Sequence, residues 1–241
     1  MKRIISVLAA SLIFAGLSAE KITINPLSAK KSFASKISVL PADSTVTVTK
    51  DKIILAPKKE GIEYKVSGYF NGQIVNKTKN TVIRLENAFI ENSSGEAAIL
   101  GEAKTEISSA KGSTNYLVSS GKSAQKTAAL QCKKNLEIGG SGTLYAVGNV
   151  YHAVKGDDVK LKGNGTFYFQ GTKEGSAVNC ENLITEKGKN FKAFLLNSKN
   201  GVKADFSVSI ASGNFYLQGN KTSFKVPEKG LKLSGAKVVE E

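Results

Sequence analysis

From about residue 128 onward, apolar and polar residues alternate in short runs separated by Gly, Asn, Asp or Lys. Three segments align without gaps: 142–148 (GTLYAVG), 165–171 (GTFYFQG) and 213–219 (GNFYLQG), at offsets of 23 and 48. A further copy is expected near residue 189, where Asn190-Phe191-Lys192-Ala193-Phe194 stands. Other columns repeat more strictly. Leu130, Val154, Val178 and Val202 are each 24 apart, as are Cys132, Gly156, Cys180 and Ala204. A third set, Leu136, Val159, Leu183 and Val208, drifts by a residue from step to step. A fixed period in the twenties means stacked supersecondary units.

Each period holds three alternating runs, and alternation at period 2 predicts strands. Three strands per period of about 24 residues make one coil of a parallel β-helix. A leucine-rich repeat would show Leu-x-x-Leu-x-Leu, which is absent. A propeller blade needs roughly 40 residues. Alternation also assigns faces. The Leu130, Cys132 and Leu136 columns point inward. In the third strand Leu144, Phe167, Phe191 and Phe215 point inward, as do Ala146, Phe169, Ala193 and Leu217. Tyr145, Tyr168, Lys192 and Tyr216 then form one outward column. Upstream, residues 45–49, 52–55 and 62–66 read as strands. Residues 81–85 and 97–100 read as earlier coils, and 108–126 as a polar loop. The Lys- and Ser-rich stretch 20–40 has no period and is assigned to an N-terminal cap, because an open end of such a stack is an exposed sheet edge.

Several stretches resemble a known family. They are Tyr64-Lys65-Val66-Ser67-Gly68 with Asn71-Gly72-Gln73-Ile74-Val75, then Val82-Ile83-Arg84-Leu85-Glu86-Asn87-Ala88 and Gly95-Glu96-Ala97-Ala98-Ile99. Further on stand Gly112-Ser113-Thr114-Asn115-Tyr116-Leu117, the run 136–144 (LEIGGSGTL) and His152-Ala153-Val154-Lys155-Gly156-Asp157-Asp158. In this order they resemble the bacterial carbohydrate-binding parallel β-helix family typified by a clostridial protein that binds cellulose and acidic pectic sugars. The resemblance spans about residues 45–220. It implies a right-handed parallel β-helix, a surface or exported location, and polysaccharide binding rather than cleavage. Family members tend to carry Asp-Gly-Ile at the coil corner, where acidic side chains hold calcium. The corresponding corners here are Tyr151-His152-Ala153, Glu174-Gly175-Ser176 and Lys199-Asn200-Gly201, without the Asp. Ca²⁺ needs six or more oxygens. Asp157 and Asp158 are read instead as stacked ion-pair columns, Asp157 between Lys133 and Glu181, and Asp158 between Lys134 and Asn182. No cofactor is expected on that reading, with calcium held by Asp157 and Asp158 as the alternative.

Composition narrows the chemistry. One His and two Cys among 241 residues cannot fill a usual zinc site. Ser-His-Asp catalysis would rest wholly on His152. Asp occurs only at 43, 51, 157, 158 and 205. Asp157 and Glu181 fall on adjacent rungs, but Lys133 beside them favours charge pairing over an acid–base dyad, so no catalytic residue is assigned. Lys plus Arg is 34 against 20 acidic residues, a net charge of +14, and only two of the 34 are Arg. That surface is either generally solvated or suited to anionic polymers. Nucleic acid is not the expected partner of an exported chain carrying one Arg after cleavage.

Residues 1–19 read as a signal peptide: Lys2 and Arg3, an apolar run from Ile4 to Leu17, then Ser18 and Ala19. No later stretch is long enough to span a membrane. Residues 20–241 form the expected single domain. The leading expectation is an exported, non-catalytic binder of a polysaccharide, acidic in preference, through Tyr145, Tyr168, Lys192 and Tyr216. The alternatives are a structural surface or envelope protein and a polysaccharide lyase or hydrolase. For the tyrosine column two readings stand, a sugar platform and a ladder of like residues stabilising the strands.

Overall fold

The computed structural model describes residues 22, 24–123 and 125–241; the expected signal segment 1–19 lies outside the described residues. Apart from one short helix, Pro26–Lys30, the regular elements are strands. One coil runs through His152–Lys155, Asp158–Leu161 and Thr166–Gln170, then turns to begin the next with Ser176–Thr185. Each strand pairs in parallel with its counterpart one coil away. Three sheets result, carried by about eight coils from Lys52–Leu55 to Lys237–Glu240. The chain is a parallel β-solenoid with roughly 24 residues per coil.

The inward columns form the core. In the first sheet Ile53, Ile74, Ile99, Leu130, Val154, Val178, Val202 and Phe224 lie in register. All but Phe224 are essentially solvent-free. Leu136, Val159, Leu183 and Val208 stack likewise in the second sheet. Each such side chain removed from water contributes about 1.5–3 kcal/mol before entropy is counted. Corners are tight. At Gly140 the backbone has φ of 96°, and a Cβ there would lie 2.1 Å from the Ser109 carbonyl oxygen. Only glycine tolerates both. Cys132 and Cys180 are free and buried, and desolvation raises both thiol pKa values.

The N-terminal edge is closed by antiparallel strands. Ser38–Leu40 pairs with Glu63–Asn71, and Val46–Val48 with Lys52–Leu55. They occupy backbone groups that would otherwise template another strand. Residues 24–36, by contrast, lie along the flank of the third sheet.

Three expectations are corrected. The stretch 108–126 is not one polar loop, because Thr114–Ser119 is a strand of the third sheet. The coil after Gly171 is two residues longer than the period, so Phe167 pairs with Ala193 and Phe169 with Leu195. Phe191 still enters the core, just ahead of the strand, with its ring 5.9 Å from Phe167 and 5.7 Å from Phe215. Asp158 is preceded by Asn135 rather than Lys134, since Leu136 pairs with Val159.

Candidate functional site

The third sheet presents three outward rows. The central row is aromatic without interruption: Tyr69, Phe89, Tyr116, Tyr145, Tyr168, Phe194 and Tyr216. Lys192, expected within this row, is not in it. The longer coil moves Lys192 into the flanking row, between Thr166 and Asn214, and Phe194 takes the place between Tyr168 and Tyr216. Tyr145, Tyr168 and Tyr216 do share a row, and Lys192 stands beside it. The flanking row reads Thr114, Thr143, Thr166, Lys192, Asn214 and Lys237.

Phe194 was within reach of the sequence. Shifting the alignment two residues sets Lys192-Ala193-Phe194-Leu195-Leu196 against Thr166-Phe167-Tyr168-Phe169-Gln170. Apolar alternation accepts either register, so only the aromatic at the third place discriminates. Tyr116 could have been found the same way from Thr114-Asn115-Tyr116-Leu117. Tyr69 and Phe89 carry no comparable signal, because the coils around them are irregular in length.

From Tyr116 to Tyr216 the rings are stacked. Successive centroids are 4.6, 4.5, 4.6 and 4.6 Å apart, with interplanar angles of 6, 8, 10 and 12°. These spacings are the rung repeat itself. Parallel rings so close cover one another's faces, so the row offers solvent its ring edges and hydroxyls. Desolvation, with the neighbouring Tyr168 and Tyr116, pushes the Tyr145 hydroxyl up to about 12. Desolvation also raises Tyr116 and Tyr168. These hydroxyls therefore stay protonated at neutral pH and act as both donors and acceptors.

The upper end of the row is covered. Phe33 packs edge-on against Phe89 and Tyr116, with centroids 5.4 and 5.8 Å away. Lys30 lies 4.4 Å from the Tyr69 ring centroid and pairs with Glu91 at 3.0 Å. The Ile22 N–H donates to Gln218 Oε1 at 2.8 Å, so the N-terminal segment reaches the lower coils as well. Further along the row Tyr145, Tyr168, Phe194 and Tyr216 are each half-buried.

The acidic residues are arranged for structure. Asp158 is not in an ion-pair column. Its carboxylate accepts from Asn135 Nδ2 at 3.2 Å and Asn182 Nδ2 at 2.8 Å, and Ser207 Oγ donates to Asn182 Oδ1 at 2.7 Å. This amide ladder replaces the expected Lys134–Asp158–Asn182 stack. Lys133 pairs with Glu102 at 3.7 Å rather than with Asp157. Glu181 follows Asp157 through a backbone bond only. Glu106 and Glu137 also sit on adjacent rungs, and Lys162 bonds both at 2.7 Å. Burial pushes the Glu137 carboxyl up, but hydrogen bonds from Lys162 and Lys104 outweigh it and hold it below the usual range. Glu137 therefore lacks the raised pKa of a general acid. Among the described residues no three His, Cys, Asp or Glu side chains come together as metal ligands, and the residues at the coil corners do not fit a calcium site. His152 is buried at its corner, where Nδ1 accepts the Ser176 N–H at 3.0 Å.

Fold and face together define a class, a three-sheeted parallel β-solenoid with an aromatic strip along one sheet. A family model described as "Carbohydrate-binding domain-containing protein" matches residues 42–240, and the chain belongs to that family. No curated protein matches it. A solved structure titled "Structure of the polysaccharide lyase-like protein from C. thermocellum, Gadolinium derivative" is similar at 17% identity and a TM-score of 0.43, covering 79% of this chain and 93% of that one.

Proposed function

We propose that the chain is an exported, non-catalytic carbohydrate-binding protein that takes an extended polysaccharide, acidic in preference, along the third sheet. Membership of the carbohydrate-binding family is the observation that carries this reading. The geometry supports it by supplying a straight strip of phenolic hydroxyls and ring edges at the rung repeat, with Lys192 beside it among Thr166 and Asn214. Tyrosine combines apolar body with polar tip at little entropy cost. A lysine alongside favours a uronate or sulfate through a charge-assisted bond. The excess of lysine over acidic residues acts in the same direction. The carboxylate arrangement supports binding without cleavage. Among the described residues no helix is long and apolar enough to cross a membrane.

The stacking favours a second reading. Rings that cover each other's faces contribute strand pairing of about 0.2–1 kcal/mol per pair. In that case the solenoid serves as a structural spacer at the cell surface. A glycan array on residues 20–241, with an assay for new reducing ends or unsaturated products, tests the reading. Retention of acidic polysaccharide without product is expected. Replacing Tyr168 and Tyr216 together by Ser is expected to weaken binding of long polysaccharide at least tenfold. Retained binding with a lowered unfolding midpoint would leave the aromatic row as strand packing alone.

A further inference from the structure

The strand Asn200–Ile210 carries one residue more than its neighbour Ser176–Thr185. Cys180 pairs with Ala204 and Asn182 with Ser207, so Glu181 faces two residues, Asp205 and Phe206. Such a bulge interrupts alternation and re-aims a side chain. Here it turns Phe206 outward to 62% exposure. Every other described phenylalanine is buried or half-buried. Folding thus forgoes the roughly 1.5–3 kcal/mol that burying this ring would contribute. The stacked rings of the third sheet hide their faces, whereas no described aromatic packs on Phe206.

Phe206 borders an open cleft of about 380 Å³, lined further by Ser207, Ser209, Pro227, Lys229 and Lys232. The next coil follows the bulge closely. The Val208 N–H donates to the Gly230 carbonyl at 2.8 Å, and a Cβ at Gly230 would lie 2.4 Å from the Phe206 carbonyl oxygen. Glycine at 230 therefore lets the chain pass under the bulge and sets Lys229 and Lys232 on its two sides. Ser209 pairs in register with Lys232, one rung away. Both lysines are exposed, and neither is among the ion pairs of the described residues. The nearest carboxylate on the bulge, Asp205, is matched by Lys203 at 3.0 Å. No carboxylate lines the cleft.

We propose that this cleft is a second binding site, for a sugar unit bearing a carboxylate or sulfate. The ring face of Phe206 covers the C–H face of the pyranose. Lys229 and Lys232 take the anionic group as point charges. The Ser209 hydroxyl donates to or accepts from a sugar hydroxyl. The site rests on the carbohydrate-binding reading but uses no residue of the third sheet.

The test titrates the full chain calorimetrically at low salt with hexagalacturonate, a sulfated hexasaccharide and cellohexaose. At least one anionic hexasaccharide is expected to bind tenfold or more tightly than cellohexaose, and the stronger of the two identifies the anion. Phe206→Ser, and Lys229→Ala with Lys232→Ala, are each expected to lower that affinity at least tenfold at an unchanged unfolding midpoint. Lys65→Ala, exposed on the first coil, serves as the charge control and is expected to change nothing. Unchanged affinity in Phe206→Ser overturns the site and leaves the carbohydrate-binding reading standing. So does a loss confined to the Tyr168→Ser, Tyr216→Ser variant. A wild-type chain that binds none of the three overturns that reading and the site with it. If Phe206→Ser alters only the sedimentation of the protein, the patch is a protein contact and the proposal fails.

Discussion

His152 shows how much one side chain depends on a neighbour a full coil away. The imidazole is 6% exposed and accepts the Ser176 N–H, so its proton sits on Nε2. Burial lowers its pKa, Lys155, Lys203 and Lys126 lower it further, and it falls from 6.5 to about 4. The unfolded chain therefore binds a proton at intermediate pH that the folded chain refuses. The resulting stability is complete above about pH 6.5 and is lost as the pH falls to about 4. The shift corresponds to roughly 3 kcal/mol at most. Urea unfolding of wild type and His152→Asn across pH 4–7 checks it, because the variant keeps an acceptor for Ser176 but cannot titrate. The pH-dependent loss is expected to be smaller in the variant by about that amount. The sequence places this histidine at a coil corner. Its burial and tautomer depend on Ser176, one full coil further along, and on the exact register between coils.

At the scale of elements, the N-terminal segment behaves differently from the coils it lies on. Residues 24–36 have no alternation to pair with a sheet. They are held by one backbone bond, from the Tyr69 N–H to the Ala34 carbonyl at 2.8 Å, and by side chains, through Phe33 on Phe89 and Tyr116 and through Lys30 on Tyr69 and Glu91. A segment docked without strand pairing opens locally at a fraction of the global free energy. Phe33→Ala is expected to speed proteolytic cleavage within residues 24–36 several-fold. The solenoid's unfolding midpoint is expected to move little. Limited proteolysis followed by mass spectrometry reads both the site and the rate, and equal cleavage rates in variant and wild type would contradict the docking role. Removing the segment would also lengthen the open aromatic row upward to Tyr116 and Phe89. A Lys- and Ser-rich stretch gives no pattern from which to place it, because its partners are defined only once the third sheet exists.

At the scale of the molecule, each coil touches only its neighbours, so stability is close to a sum of coil and interface contributions. Inward residues of the middle coils are fully enclosed, while Phe224, Leu231 and Val238 of the coil spanning 222–240 remain half-exposed. Amide hydrogen exchange is expected to be slowest through the strands between residues 128 and 210 and fastest in 222–240. Uniform protection along the chain would contradict this nearest-neighbour picture. The sequence by itself determined the strand period, the inward columns at Leu130 and Leu136, and the outward tyrosines. Those properties follow from alternation, which is local, and from repetition, which stacking requires. Tertiary structure decided how many residues each corner absorbs, with the aromatic at residue 194 the one hint of it in the sequence. Alternation tolerates a shift of two without changing a single face, so the aromatic row closed on Phe194 and Lys192 fell beside it. A shift of one does change the face, and the bulge opposite Glu181 is where the chain takes up that extra residue and leaves Phe206 in solvent.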